Sequence, residues 1–187
     1  MKALFTLLVL ITGVMVLSCQ ESEAPSPPVK VEFHLTDSEG KATTIFQEGE
    51  DILFDYSIVN LIDETVTWYF DSAFSYHNMF TVYKVEEPGP ERPGGDVIKI
   101  GTPQTPALQI DARTGRIIPA NGEMRILMSW TGNRENTFMF DNWSIYYHER
   151  ETLTPGKYFV EFEQGITFAL YNPFHRKFKI VFEVRSK

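Results

Sequence analysis

From Val29 onward, apolar and polar residues alternate with period two. Val29, Val31, Phe33 and Leu35 face one way, and Lys30, Glu32 and His34 face the other. Successive side chains of a strand point to opposite faces, so this pattern predicts a strand with one wet face. It recurs at Ile52, Phe54, Tyr56 and Ile58, at Val66, Trp68 and Phe70, and at Met124, Ile126, Met128 and Trp130. Tyr158, Val160 and Phe162 repeat it after Pro155-Gly156. The last run is the clearest, with Phe178, Ile180, Phe182 and Val184 inward and Lys177, Lys179, Glu183 and Arg185 outward. A weaker run covers 80–85. Asp37-Ser38-Glu39-Gly40 and Asn60-Leu61-Ile62-Asp63-Glu64 read as turns.

No segment shows a helical period, and strands with one wet face imply antiparallel sheets. About seven such strands, separated by turn signals, predict an all-β sandwich. The region 86–121 breaks the rhythm. It holds Pro88, Pro90, Pro93, Pro103, Pro106 and Pro119, and it reads as a long crossover with short strands near 97–100 and 107–110.

The first 28 residues belong to another category. Lys2 precedes an apolar run from Ala3 to Leu17, too short for a comfortable membrane span, and Ser18 and Cys19 follow at once. Val16-Leu17-Ser18-Cys19 resembles the bacterial lipobox: an aliphatic at −3, a small residue at −1, then the acylated cysteine. The expectation is a cleaved lipoprotein signal at 1–18, lipidation at Cys19, and attachment to the membrane of a bacterial cell envelope. Gln20-Glu21-Ser22-Glu23 resembles the acidic signal that sends some lipoproteins to the outer surface of the outer membrane. Ala24-Pro25-Ser26-Pro27-Pro28 completes a tether over 19–28, leaving 29–187 as the folded domain.

Composition narrows the chemistry. The net charge of −8, with no Lys/Arg run, is unsuited to nucleic-acid phosphate. Aromatics make up 14% of the chain, which suits a β-rich core. Cys19 is the single cysteine, so no disulfide forms within the chain, and acylation removes it as a thiol nucleophile. His34, His77, His148 and His175 are not at metal-binding spacing, and neither a Gly-x-Ser-x-Gly elbow nor a phosphate-cradling glycine loop is present. The expectation is a non-catalytic protein without metal or cofactor. Phe140, Trp143, Tyr146 and Tyr147 precede the Pro155-Gly156 turn, and Tyr171 and Phe174 precede the last strand. At the end of a sandwich these six would form an aromatic platform able to stack on sugar rings or a peptide. The other reading is that they cap the core.

Three segments, in order, resemble the intracellular proteinase inhibitor family of the BsuPI type, a group of Ig-like β-sandwiches. Gly49 to Asn60, with Glu64-Thr65-Val66 after it, resembles that family's hydrophobic strand ending in Asn and a polar turn. Ile118-Pro119-Ala120-Asn121-Gly122-Glu123, leading to Trp130, resembles its Pro-Gly-Glu turn. Leu153-Thr154-Pro155-Gly156-Lys157-Tyr158 resembles its closing Leu-x-Pro-Gly-x-Tyr strand. The resemblance implies an antiparallel Ig-like β-sandwich of about seven to nine strands, and inhibition of a proteinase as one activity to weigh. The leading expectation is a lipid-anchored module that binds a protein or glycan. The alternatives are a proteinase inhibitor or a structural accessory of an envelope complex.

Overall fold

A computed structural model describes residues 25–70, 79–88, 95–106, 115–132, 137–138, 145–147 and 150–187. The signal segment, Cys19 and the expected strand at 107–110 lie outside the described residues. The described residues contain no helix. Their strands are β1 (Val29–Thr36), β2 (Ile45–Gln47), β3 (Leu53–Asn60), β4 (Val66–Phe70), β5 (Thr81–Val85), β6 (Val97–Gly101), β7 (Gln104–Pro106), β8 (Arg116–Ile118), β9 (Glu123–Ser129), β10 (Thr137–Phe138), β11 (Ile145–Tyr147), β12 (Gly156–Phe168) and β13 (Tyr171–Arg185).

Two sheets enclose one core. The first runs β1-β3-β9-β10, antiparallel throughout. The second runs β2-β13-β12-β4-β8, with β5 and then β6 also reached from β12. β12 therefore shares one edge between two partners: Lys157 to Glu161 pair with β5, and Ile166 to Phe168 pair with β4. After β1 the chain changes sheets. Asp37 makes the turn by accepting hydrogen bonds at Oδ1 from the amides of Glu39 and Lys41, both at 2.9 Å. β2 then runs parallel to β13 in the second sheet. The first three strands of one sheet and the β4-β12-β13 trio of the other reproduce the A-B-E and C-F-G orders of an Ig-like sandwich.

Alternation in the sequence is alternation in burial. Phe54, Tyr56, Ile58, Ile126 and Met128 from the first sheet meet Trp68, Val82, Tyr158, Val160, Phe162, Phe178 and Phe182 from the second. Phe80 joins them just before β5, fully buried and in the left-handed region at φ 58°. That conformation is unfavourable for a bulky residue and persists only where the surroundings over-determine it. The ring stacks on Phe33 at 5.3 Å and on Phe54 at 5.5 Å, and meets Phe162 edge-on at 5.1 Å.

The segments that resemble the inhibitor family serve the fold. Tyr158 donates from its hydroxyl to the Thr154 carbonyl at 2.7 Å, four residues upstream. This is the tyrosine corner of Ig-like domains, at the start of the strand in the F position. Trp68 is buried on the strand in the C position. Asn60 links the other two segments. Its amide nitrogen donates to the carbonyls of Glu64 and Pro119 at 2.7 and 2.8 Å, and its backbone amide donates to Gly122 at 2.8 Å. Asn121, at φ 51°, supplies the positive φ needed to turn Pro119 to Gly122.

Two expectations need correction. The residues from Tyr171 to Arg176 are not a loop before the last strand; they are its first part, paired with Gln164 to Phe168 of β12. Pro173 reads as a turn signal, yet a strand tolerates proline where the side it turns outward faces no partner, and β13 meets β2 only at Glu183 to Arg185. The proline-rich segment is also not free to its end. The Pro25 carbonyl accepts from the Asn172 amide and the Pro28 carbonyl from the Leu61 amide, each at 3.0 Å.

A side-chain pair bridges the two sheets through the core. The Tyr56 hydroxyl of the first sheet donates to Gln164 Oε1 of the second, both residues being fully buried. Burial pushes the Tyr56 phenol well above its ordinary value. The Gln164 amide nitrogen has no partner among the described residues. Removing one member strands the other, at a cost of about 1–3 kcal/mol, whereas replacing both with apolar groups is nearly neutral. Tyr56→Phe is therefore expected to destabilise the domain, and adding Gln164→Leu is expected to restore most of the loss. Urea unfolding of the two single variants and the double variant measures this coupling, and simple additivity would refute it.

Candidate functional site

The outward faces of the two sheets differ in kind. On the first, Arg125 grips Asp55 with two bonds, Nε to Oδ1 at 2.7 Å and Nη2 to Oδ2 at 2.6 Å. Lys30 pairs with Glu32 at 2.8 Å, and the Glu32 carboxyl is held below its ordinary value, chiefly by that hydrogen bond. Half-buried Val59 and Leu127 share this face with the paired charges.

The second sheet presents a ridge. Strand register places Lys99, Tyr83, Phe159 and Val181 side by side across β6, β5, β12 and β13. Tyr83 and Phe159 stack at 4.8 Å and 14°, and the Lys179 ammonium lies 4.0 Å from the centre of the Phe159 ring. Val181 is 63% exposed and Val97, one row away, 59%. Along the same hairpin, the neighbouring rows are charged. Lys177 and Lys179 both reach Glu161, at 2.8 and 3.4 Å, and the hydrogen bond from Lys177 leads the effects that hold the Glu161 carboxyl below its usual range. The result is an aromatic-aliphatic strip bordered by lysines.

A second feature lies at the end of the sandwich that carries the tyrosine corner. A cleft of about 450 Å³ opens between Lys84, Ile100, Trp130, Arg150, Leu153 and Tyr158. Trp130 is nearly buried at its floor, and its indole N–H donates to the Glu151 carbonyl at 3.0 Å. The Arg150 guanidinium carbon lies 5.0 Å from the centre of the Trp130 ring. Gly101 makes room for it. The glycine sits at φ 135°, and a Cβ there would stand 2.8 Å from Arg150 Nη2. A register shift between Val82 and Tyr83 leaves Ile100 out of the β5–β6 pairing, and Ile100 lines the cleft. Lys84 donates to Thr154 Oγ1 at 3.2 Å, and Thr154 Oγ1 lies 3.2 Å from the Tyr158 hydroxyl. Burial draws the Arg150 guanidinium below its ordinary value without discharging it.

Of the six aromatic residues expected to form a platform, Phe140 and Trp143 lie outside the described residues. Tyr146 and Tyr147 are on β11, which pairs with β7 opposite Thr105 and Gln104. Tyr171 and Phe174 are half-buried on β13 and pack against the core. Among the described residues, no group of three or more His, Cys, Asp or Glu is arranged to hold a metal ion. The ridge and the cleft were both missed by the sequence reading. Each joins residues distant in the chain, and no local spacing marks them.

Comparison with known proteins adds little. No protein-family model matches the chain, and a search of curated proteins found no match. Solved structures give weak likenesses. An ASH/PapD-like domain of human CEP192 is similar at a TM-score of 0.41 and 11% identity, over 93% of this chain and 96% of that one. The alkylpurine DNA glycosylase AlkC of Pseudomonas fluorescens is similar at 0.29 and 10%, over 85% of this chain and 31% of that one. A beta-glucosidase from Listeria innocua is similar at 0.26 and 13%, over 82% and 16%. Likenesses of this size carry no family and no activity, so the assignment as an Ig-like sandwich stands on the strand order and the tyrosine corner described above.

Proposed function

We propose that this chain is a lipid-anchored, non-catalytic recognition module of the bacterial cell envelope, holding a protein or glycan partner on the outer face of its second sheet. The observation that carries this reading is the ridge, in which exposed Val181 continues a stacked, half-buried pair of rings, Tyr83 and Phe159, in one row across the outer face. Exposed apolar strips rimmed by polar groups mark interaction surfaces, and aromatic rings supply contact area to either kind of partner.

The anchor reading rests on the sequence around Cys19. Pro25 and Pro28 bond to the domain beside Asn172 and Leu61. If Cys19 is the anchor, the end of the sandwich with Pro25, Leu61 and Asn172 is the one nearer to it along the chain. The three segments behind the inhibitor resemblance hold turns and the corner together, so the resemblance is accounted for by the fold and supports inhibition no further.

Fractionation of cells expressing the full chain tests both parts. Cys19→Ser is expected to move the protein from the membrane to the soluble fraction, and continued sedimentation with membranes would refute the anchor. In-cell crosslinking is expected to trap a partner or glycan on the wild-type chain. Phe159→Ser should lose it while the melting temperature stays within a few degrees, and retention by that variant would refute the ridge as the binding face.

A further inference from the structure

The tyrosine-corner cleft gathers two basic side chains at one opening. Lys30, Arg125, Lys157, Lys177, Lys179 and Arg185 each lie within 3.4 Å of a carboxylate. Lys84 and Arg150, which line the cleft together, have no such partner among the described residues. Arg150 is also the more costly of the two to leave unpaired. Trp130 and Gly101 press against its guanidinium, and its buried Nε has no hydrogen-bond partner among the described residues. A partly desolvated cation without a counter-charge is unfavourable, and an arriving anion would remove that penalty. The chain as a whole carries −8, but at this opening Lys84 and Arg150 outnumber Glu151, the one acidic residue of the lining, so the cleft keeps a net positive charge in a negative field.

The walls limit what that anion is carried on. Ile100, Leu153 and the Tyr158 ring give the cleft an apolar side, and Lys84 with Thr154 gives it a polar one. Its volume of about 450 Å³ falls among small-molecule sites of roughly 300–1,000 Å³. A planar guanidinium matches a carboxylate in shape. We propose that this cleft binds a carboxylate borne on a compact, partly apolar body, either a small organic acid or the free C-terminus of a peptide. The site is separate from the ridge, and the proposal does not depend on the partner reading above.

The test is a titration of the isotopically labelled full chain, followed through the indole N–H of Trp130 and the Nε–H of Arg150 by two-dimensional NMR. The probes are benzoate, N-acetyl-alanyl-phenylalanine, the C-terminal amide of that dipeptide, and inorganic phosphate, all at matched ionic strength. Saturable shifts of both signals by the carboxylates are expected, with a dissociation constant on the order of 1 mM, and none by the amide. Tighter binding of the dipeptide assigns a chain end, and tighter binding of benzoate assigns a small acid. Arg150→Gln is expected to weaken binding at least tenfold. Because that change also alters packing on Trp130, Lys84→Gln serves as the second variant, with a loss of several-fold and an unchanged fold. The absence of saturable shifts, equal response to the amide, tighter binding of phosphate, or undiminished binding by Lys84→Gln would each overturn the proposal.

Discussion

Replacing Phe162 with alanine is expected to destabilise the domain by about 4 kcal/mol, within the roughly 3–5 kcal/mol range for deleting a buried aromatic ring. Few residues touch so much of both sheets. The Phe162 ring stacks on Phe178 at 5.0 Å within its own sheet. It meets Phe33 of β1 edge-on at 4.9 Å and Phe80 at 5.1 Å, and lies 6.1 Å from Tyr56 of β3. Each well-placed aromatic pair adds about 0.5–1.5 kcal/mol beyond area burial. The cavity left by alanine would lie where the two sheets meet, among rings already fixed by one another, so little collapse can fill it. Phe162→Leu keeps part of the volume and is expected to lose much less. Denaturant unfolding at constant m-value provides the measurement, and a loss below about 1.5 kcal/mol for alanine would mean that the cluster is less tightly knit than its geometry implies.

The second large effect is expected at Asn60. Its side chain satisfies several backbone groups together, with Nδ2 donating to Glu64, Pro119 and, at 3.3 Å, Ile118, while Oδ1 accepts from the Ile62 amide at 3.2 Å. No other residue type of that size supplies two donor hydrogens and an acceptor. Asn60→Ala is expected to cost about 3 kcal/mol, since each buried group left unpaired costs about 1–3 kcal/mol. Asn60→Asp is the sharper change, because shape is kept while the donors are lost and a carboxylate is set against carbonyl oxygens. Burial and those oxygens would raise the folded-state pKa of the introduced group. Its protonated form can donate again, so part of the stability should be present below about pH 4 and be lost as the pH rises. Unfolding followed at acidic and neutral pH tests this, and a variant equally stable at both would contradict the assigned role.

Legibility in the sequence followed strand length and chain distance. β1, β3, β9 and the long parts of β12 and β13 announce themselves because eight or so alternating positions leave little room for another period. β2, β7 and β8 have three residues each, too few to show a period, and they exist because a neighbouring edge was open to pair with them. The start of β13 misled for a definite reason: Asn172-Pro173 is a turn signal, overridden by pairing with β12. The strand within the proline-rich crossover is readable near 97–100 and β5 shows as a weaker run over 80–85, but nothing local says that the two pair. The candidate sites were less legible still. Tyr83 and Phe159 are neighbours only through the β5–β12 register, and Arg150 reaches Gly101 only after the sandwich has closed. Leu153 to Tyr158 was the exception, a local motif that encodes a local structure.

The divided edge of β12 has a consequence in time. A chain is made from its N-terminus, and β1, β3 and β9 can pair as soon as residue 129 is available. The second sheet has only two separate pairs at that stage, β5 with β6 and β4 with β8. β4 and β5 bond to opposite halves of one strand that arrives later, with Trp68 waiting for Phe168 roughly a hundred residues downstream, a separation that slows pairing. β2 waits longer, for Glu183 to Arg185. Until the final hairpin is delivered, one face of the growing β1–β3–β9 sheet has nothing to close against. The domain is therefore locked by the β12–β13 hairpin, and a nascent chain stays unsealed until Arg185 has been made.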